Sequence, residues 1–289
     1  MVLFPNCKIN LGLNIVRKRS DGFHDIETVF YPIALRDALE VIQTNGIEEN
    51  VQYSIPIATG IDFQFSTSGE TVAGDPEDNL CIKAYQLLKK NFTQLPAVKM
   101  HLHKTIPSGS GLGAGSADGA VVLRLLNQKF HLGLSTEQLL GYALQLGSDC
   151  PFFIINRPCF ATGRGEILEP IQPDLSDYKI VIINPGIHIS TTEAFSLLTP
   201  AIPSKSIKKI IQQPIETWKE ELKNDFEEPV FRKYPELKTI KEKLYEAGAI
   251  YTSMTGSGST IYGIFEKNKK MKLSFTSNYF IKELTGQLQ

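Results

Sequence analysis

The sequence has no strong excess of charge of either sign. Its 289 residues include 30 lysines and arginines against 31 aspartates and glutamates, so the formal net charge is −1. No extended basic tract interrupts this balance. Because nucleic-acid binding relies on Lys and Arg contacts to phosphates, the composition argues against nucleic acid as a main partner. We therefore expect small-molecule ligands.

Long apolar runs and paired cysteines are also missing. The chain has no stretch of 18 apolar residues, and its first residues lack the basic and apolar segments of a signal peptide. We expect no membrane association and a cytoplasmic location. The four cysteines form no C-x-x-C pair and no metal-binding spacing, which predicts free thiols in a reducing compartment. We expect no metal site either, since His101 and His103 share a strand face without a third ligand nearby.

The length suits one large domain or two of ordinary size. Hydrophobic residues make up 42% of the chain and charged residues 21%, which is typical of a globular protein. Prolines and glycines accumulate over residues 156–178, so we place a domain boundary there. The predicted domains are residues 1–157 and 158–289. Composition leaves the oligomeric state open between a monomer and a weak dimer.

Periodicity and capping signals predict the main elements. Alternating or short apolar segments predict strands at residues 6–17, 24–33, 39–43, 51–55, 62–66, 98–102, 152–155, 179–184, 260–265 and 279–284. Apolar spacing and capping residues predict helices at residues 80–92, 136–146 and 236–247, one after residue 116, several short ones over 204–245, and one in the tail. The chain therefore mixes helices and strands throughout.

A glycine-rich loop lies between a predicted strand and a predicted helix. Its four glycines alternate with small residues over 109–115, Ser116 is a candidate N-cap, and Asp118 places an acid in the first helical turn. A helix N-terminus offers unpaired N–H groups and partial positive charge, and glycines let the backbone wrap a phosphate closely. The alternative is a flexible linker, which seldom joins a patterned strand to a capped helix.

The loop matches neither of two familiar nucleotide motifs. No Gly-Lys-Ser/Thr follows the glycines, as a Walker A motif requires, and Ala114 and Ser116 stand where Gly-x-Gly-x-x-Gly needs its third glycine. By itself the loop thus predicts a phosphate site, most naturally for a nucleotide.

Polar residues at three other places are candidates for the site. Lys8 and Asn10 share one face of the first strand, either as functional groups or as a solvated sheet face. Phe23 and His24 follow an Asp-Gly turn and suit either stacking on a flat ligand or core packing. Asp149 lies in an irregular corner among apolar residues, as a cap or a functional carboxylate.

Several of these motifs resemble the GHMP small-molecule kinases. Their phosphate-binding motif is similar to residues 107–117, and their third motif is similar to the second small-residue loop, residues 254–259. Four narrower segments resemble one branch, the 4-diphosphocytidyl-2-C-methyl-D-erythritol kinases. These segments are residues 5–11 with 21–25, 146–153, 160–166 and 185–191.

The resemblance implies an α+β, two-domain GHMP kinase fold. Its N-terminal domain would be ribosomal-protein-S5-domain-2-like and its C-terminal domain ferredoxin-like. It also implies ATP-dependent phosphorylation of the 2-hydroxyl of 4-diphosphocytidyl-methylerythritol in non-mevalonate isoprenoid biosynthesis, with Mg²⁺ carried on the nucleotide. The alternatives are another GHMP kinase, acting on mevalonate, homoserine or a sugar, and a catalytically silent nucleotide-binding regulator.

The resemblance also implies roles for individual residues. Asp149 matches the general base and Lys8 the lysine beside it. The positions that match ATP-binding ones are Asn79, Lys104, Pro107, Ser108, Gly109, Ser110, Gly111, Leu112, Gly113, Ala114, Gly115, Ser116 and Ala117. The positions that match substrate-binding ones are Asn10, Phe23, His24, Thr191 and Phe195. Departures from the usual pattern are Phe23 in place of Tyr, Ser148 and Cys7 in place of Ala, and Ala114 in place of Gly.

Overall fold

The computed structural model describes residues 1–44, 58–59, 62–72, 74–275 and 278–285. Its elements mix helices and strands throughout these ranges, which confirms the predicted α+β class. The chain divides into two compact units. The first unit comprises Met1–Cys7, Leu35–Ser108 and Ala114–Asn156, and the second unit comprises Lys8–Ala34, Gly109–Gly113 and Arg157–Gln289. The predicted boundary at residues 157 and 158 stays a prediction.

The first unit contains a five-stranded sheet in the order β1-β4-β7-β6-β5. The strands are β1 (Val2–Leu3), β4 (Ala38–Gln43), β5 (Ala58–Thr59), β6 (Phe63–Gly69) and β7 (Val98–Lys104). Strands β6 and β7 are parallel and the other described pairs are antiparallel. Val98, Met100 and Leu102 of β7 are buried on alternate positions, so the predicted half-buried strand is confirmed.

The described part of the first unit also contains four helices, after a short 3-10 turn at Pro76–Asp78. They are α1 (Leu80–Asn91), α2 (Ala114–Lys129), α3 (Thr136–Leu146) and α4 (Cys150–Ile155). Asn79 accepts the Cys81 N–H and caps α1, and Ser135 and Gln138 form the predicted capping box of α3. Helix α2 is buried along most of its length because it packs against α1, α3 and α4.

The second unit contains two four-stranded sheets, in the orders β2-β3-β8-β9 and β11-β12-β10-β13. Their strands are β2 (Asn6–Lys18), β3 (His24–Arg36), β8 (Cys159–Thr162), β9 (Ile167–Pro170), β10 (Tyr178–Asn184), β11 (Tyr251–Met254), β12 (Ile261–Glu266) and β13 (Phe280–Thr285). Its helices are α5 (Thr191–Ser196), α6 (Ile207–Ile210), α7 (Trp218–Glu221), α8 (Glu227–Lys233) and α9 (Pro235–Glu246), with a 3-10 turn at Ile215–Thr217. Helix α9 packs on β11 and β12, and Leu237, Ile240 and Leu244 enter the core.

Three local predictions are wrong. Helix α2 begins at Ala114, so Ser116 lies inside its first turn, because the left-handed glycines end at Gly113 and helical angles start at once. Residues 152–155 belong to α4, since Pro151 suits a first helical turn and a short apolar run does not distinguish strand from helix. The described part of the tail, residues 267–275 and 278–285, contains β13 but no helix.

Three further expectations concern one strand, membrane-spanning helices and the cysteines. The predicted strand at residues 51–55 lies outside the described residues. Across the described ranges, no helix is both long enough and apolar enough to span a bilayer. All four cysteines are buried free thiols, as predicted.

Candidate active site

Lys8 and Asn10 form a buried pair on β2. Their side chains are only 3% and 2% exposed, so the alternative of a solvated sheet face is wrong. The Lys8 Nζ donates to Asn10 Oδ1 at 2.6 Å and lies 4.7 Å from the centre of the Phe30 ring. Burial of an ammonium costs free energy unless polar or aromatic partners compensate for the lost water. This lysine is therefore held in a defined place.

Hydroxyl groups fix the orientation of Asn10. Its Nδ2 donates to Thr28 Oγ1 at 3.0 Å, and Thr28 in turn donates to the Gly12 carbonyl at 2.5 Å. The backbone carbonyl of Asn10 accepts from the Tyr262 hydroxyl at 2.8 Å. Since the amide nitrogen is turned toward Thr28, the amide oxygen faces Lys8.

The glycine loop of the second unit is held by β2 and by the loop after β11. The Lys8 N–H donates to the Leu112 carbonyl at 3.0 Å, and the Thr260 N–H donates to the Ser110 carbonyl at 3.2 Å. Gly111 has φ +80° and its missing Cβ would overlap the Thr255 carbonyl oxygen. Only glycine meets both conditions, because an L side chain is strained at this φ and has no room here.

A buried ion cluster lies at the end of β7 in the first unit. Lys104 pairs with Asp37 and, at 2.8 Å, with Asp118. The Asp37 Oδ1 also accepts the N–H groups of Thr105 and Ile106, at 2.6 and 3.0 Å. The acid that the sequence placed near the helix dipole therefore serves as a partner of Lys104, and the Lys104 ammonium is engaged by carboxylates.

The cluster holds two carboxyl groups and only one ammonium. Burial raises the pKa of Asp118 to about 7, against the lowering effect of Lys104, and its Oδ1 has no hydrogen-bond partner among the described residues. Burial alone would lower the pKa of Lys104, but the two carboxylates outweigh it and raise the pKa above its ordinary value.

Asp149 occupies the N-cap position of α4 in the first unit. Its backbone angles are helical, and within the described chain its side chain makes no capping hydrogen bond to α4. The alternative of an ordinary capping aspartate is thus not favoured. Asn79, by contrast, does cap its helix, at 2.9 Å from the Cys81 nitrogen. The functional roles of both residues stay predictions.

Aromatic side chains gather near the start of β3 in the second unit. His24 stacks on Phe195 with ring centres 4.4 Å apart, and Phe195 meets Phe226 edge to face at 5.0 Å. Burial lowers the pKa of His24, with a smaller contribution from Lys18. These three rings therefore pack against one another within the second unit.

Phe23 is more exposed to solvent than these three rings. It is 50% exposed, and the Arg164 guanidinium lies 4.7 Å from its ring centre. Core packing is therefore wrong for Phe23, and an accessible ring remains for a flat ligand. Thr191 begins α5, which Ser190 caps.

The sequence interpretation missed several residues of these networks. Thr28, Asp37, Arg164, Thr255 and Tyr262 all contact predicted site residues. Thr255 and Arg164 lie in segments singled out for their motifs, so their position was a usable signal. Asp37 carries no local signal, because its partner lies 67 residues away.

The two strand histidines lie in a hydroxyl network. Ser68 Oγ lies 2.9 Å from His101 Nε2 and 2.8 Å from His103 Nδ1. In the part of the chain that the structure describes, no group of three or more His, Cys, Asp or Glu side chains could hold a metal ion.

Comparison with known proteins relates both halves of the chain to one superfamily. The model of the GHMP kinases N terminal domain matches residues 79–157, and the model of the GHMP kinases C terminal domain matches residues 206–279.

Full-length relatives are more specific. A 4-diphosphocytidyl-2-C-methyl-D-erythritol kinase of Bacteroides fragilis is 48% identical over 96% of this chain and 97% of its own length. The same enzyme of Bacteroides thetaiotaomicron is 50% identical over 92% of each chain. The crystal structure of a 4-(cytidine 5'-diphospho)-2C-methyl-D-erythritol kinase superposes with a TM-score of 0.72 at 30% identity, covering 91% of this chain and 89% of that one. The chain therefore belongs to the 4-diphosphocytidyl-2-C-methyl-D-erythritol kinase family of the GHMP kinases.

Proposed function

We propose that this chain transfers the γ-phosphoryl group of ATP to the 2-hydroxyl of 4-diphosphocytidyl-2-C-methyl-D-erythritol. The observation that carries the proposal is the buried Lys8–Asn10 pair on β2, whose strand also bonds directly to the glycine loop. A buried ammonium on a strand that bonds to the proposed phosphate loop suits phosphoryl transfer, where positioning and charge stabilisation supply most of the catalysis.

The proposed ATP phosphate site is formed by residues 107–117. Its glycines at 109, 111 and 113 have positive φ, and α2 follows directly with the N–H groups of its first turn. We propose that Asn79 and Lys104 belong to the ATP-binding part of the site. Lys104 would contribute through its backbone and through the ion cluster that it forms with Asp37 and Asp118.

Mg²⁺ is proposed to arrive on the nucleotide. The Asp118 carboxylate is engaged by Lys104, and the described chain offers no cluster of three metal-ligating side chains. When bound to ATP, the ion would neutralise charge on the β- and γ-phosphate oxygens.

Asp149 and Lys8 are the proposed catalytic residues. Asp149 accepts the proton of the substrate hydroxyl, or orients that hydroxyl until the proton leaves late in the reaction. Lys8 stabilises negative charge near the transferred group. Its hydrogen bond to Asn10 fixes the direction in which the ammonium points.

The cytidine-bearing end is proposed to meet the aromatic residues of the second unit. Phe23 presents an accessible ring, and the stacked His24 and Phe195 offer a second flat surface. Asn10 and Thr191 are proposed to supply further hydrogen bonds to this substrate. Phe23 lacks the hydroxyl of the more usual Tyr, so one hydrogen bond to the substrate would be lost.

The test combines mass spectrometry with an ADP-release assay. ATP and the cytidine substrate should yield a product heavier by one phosphoryl group, while mevalonate, homoserine and sugars should stay unchanged. Asp149→Asn should lose about 10²- to 10⁴-fold in kcat, the range expected for a positioned acid or base, and still bind ATP. The exposed Asp177→Asn is the matched control.

Other outcomes would point elsewhere. Consumption of another alcohol alone would assign a different GHMP kinase activity, and ATP binding without transfer to any alcohol would indicate a regulator. Near-normal turnover of Asp149→Asn would remove Asp149 from the mechanism. The cytoplasmic location and the choice between monomer and weak dimer stay predictions.

A further inference from the structure

The Thr255 hydroxyl is placed between the Lys8–Asn10 pair and the glycine loop. Thr255 is fully buried in the second unit. Its Oγ1 accepts the Asn10 N–H at 3.1 Å. The same oxygen lies 3.2 Å from Asn10 Oδ1 and 3.1 Å from the Gly111 carbonyl, both of which are acceptors. One hydroxyl thus contacts a proposed substrate residue and a proposed ATP residue.

A hydroxyl has a single proton to donate. Thr255 can therefore donate its hydrogen bond to Asn10 Oδ1 or to the Gly111 carbonyl, but only to one of them at a time. The Asn10 Oδ1 also accepts from the Lys8 ammonium, at 2.6 Å. Any movement of Lys8 toward a bound phosphate weakens that bond, and the Thr255 proton then gains a better acceptor at Asn10.

The surroundings leave Asn10 little freedom to respond in another way. Its Nδ2 is held by Thr28 and its carbonyl by Tyr262, and both of these side chains are buried. On the loop side, Gly111 lies so close to the Thr255 backbone that there is no space for a Cβ. In a dry, close-packed region, hydrogen bonds are strong and rearrange as discrete alternatives.

We propose that Thr255 is a positioning residue whose hydroxyl couples the Lys8–Asn10 pair to Gly111. Through this coupling, nucleotide binding at the glycine loop strengthens binding of the cytidine substrate at the Lys8–Asn10 pair. This inference rests on the proposed function. It adds that the small-residue loop 254–259 links the two substrates, without requiring Thr255 to touch either.

The test measures binding of the cytidine substrate with and without a non-hydrolysable ATP analogue, by calorimetry. The unaltered protein should bind the cytidine substrate about fivefold or more tightly when the analogue is present, a typical coupling. In Thr255→Val, which removes the hydroxyl at similar size, that factor should fall to about one. Thr255→Ser keeps the hydroxyl and should retain the coupling.

Thr252→Val is the matched control. Thr252 lies on the neighbouring β11, is fully buried, and its hydroxyl has no hydrogen-bond partner among the described residues. This variant should keep both the coupling and the KM for ATP, whereas Thr255→Val should raise KM for ATP and lower kcat together. A merely structural role would lower the melting temperature and leave the coupling factor intact.

Each other result has a definite meaning. An uncoupled parent protein, or an unchanged factor in Thr255→Val, would overturn the proposal. If Thr255→Val does not fold, Thr255→Ala is measured instead, and failure of both would assign the hydroxyl to folding alone and overturn the coupling role. If the parent binds ATP but not the cytidine substrate, the proposed function itself fails, which is a distinguishable outcome.

Discussion

The Nζ atom of Lys104 lies 2.8 Å from Oδ2 of Asp118, and neither side chain is more than 4% exposed. Lys104 also pairs with Asp37, which binds the N–H groups of the two residues after Lys104. When both carboxyl groups are ionised, this buried cluster of two carboxylates and one ammonium carries a net negative charge. Within the first unit, the cluster connects β7 to the first turns of α2.

We expect the Asp118 carboxyl to make stability depend on pH. Its folded pKa of about 7 lies above the ordinary 3.8, so between these values the folded chain holds a proton that the unfolded chain has lost. Stability from this group is therefore lost as pH rises toward 7 and changes little above it. Across this window, the parent should lose up to about 1.4 kcal/mol per pH unit relative to Asp118→Asn.

Urea unfolding at several pH values checks this difference. Glu228→Gln, which alters a highly exposed carboxylate, should track the parent at every pH. Parallel stability curves for the parent and Asp118→Asn would show that Asp118 has an ordinary pKa in the folded chain.

Removal of the Lys104 ammonium should be severely destabilising. Lys104→Met leaves Asp37 and Asp118 buried without their cation, and breaking such a pair costs about 3–5 kcal/mol. Lys238→Met, which removes an exposed lysine 3.8 Å from Glu242, should change stability by less than about 0.5 kcal/mol. The denaturant midpoints of the two variants measure this difference. Equal shifts in both midpoints would show that the Lys104 cluster does not stabilise the fold.

Alanine substitutions at two glycines of residues 107–117 should change the stability of the protein in opposite directions. Gly111→Ala forces a side chain into a left-handed backbone against the Thr255 carbonyl, so we expect a loss of more than about 2 kcal/mol. Gly115 lies in α2 and a Cβ there meets no described heavy atom within 4 Å. Gly115→Ala should be stabilising by up to about 1 kcal/mol. Thermal unfolding of both variants without nucleotide checks this prediction. A melting temperature of Gly111→Ala equal to or above that of Gly115→Ala would contradict it.

The aromatic stack should control affinity for the cytidine-bearing substrate. Phe195→Leu removes the ring that His24 stacks on, so we expect KM for that substrate to rise about tenfold while KM for ATP stays within about twofold. The exposed Ile202→Ala should leave both values unchanged. An equal rise in both KM values would indicate general loosening of the fold.

Restoring the usual tyrosine is a sharper test of the same site. Phe23→Tyr adds a hydroxyl to a half-exposed ring that already stacks under Arg164. KM for the cytidine substrate should fall by about two- to tenfold if the hydroxyl gains one hydrogen bond. A higher KM would mean that Arg164 has taken the place of that hydroxyl.

Local patterns in the sequence predicted many elements correctly. Asn79 caps α1 and Ser135 with Gln138 caps α3, because a cap involves side chains and N–H groups within three residues. The alternation of β2 was equally clear. Local patterns failed at α4, where a short buried run fits either class, and at Ser116, where the glycine conformations rather than the capping preference set the helix start.

The sequence by itself determined the glycine loop, the caps, the amphipathic segments and the set of polar residues from which a site can be built. It did so because each of these depends on neighbours in the chain. Only the tertiary structure decided which partners those residues meet. Lys104 pairs with an aspartate 67 residues away, and Asn10 bonds to a threonine 245 residues away. Such pairings depend on which strands share a sheet and how deeply they are buried, and no local pattern carries that information.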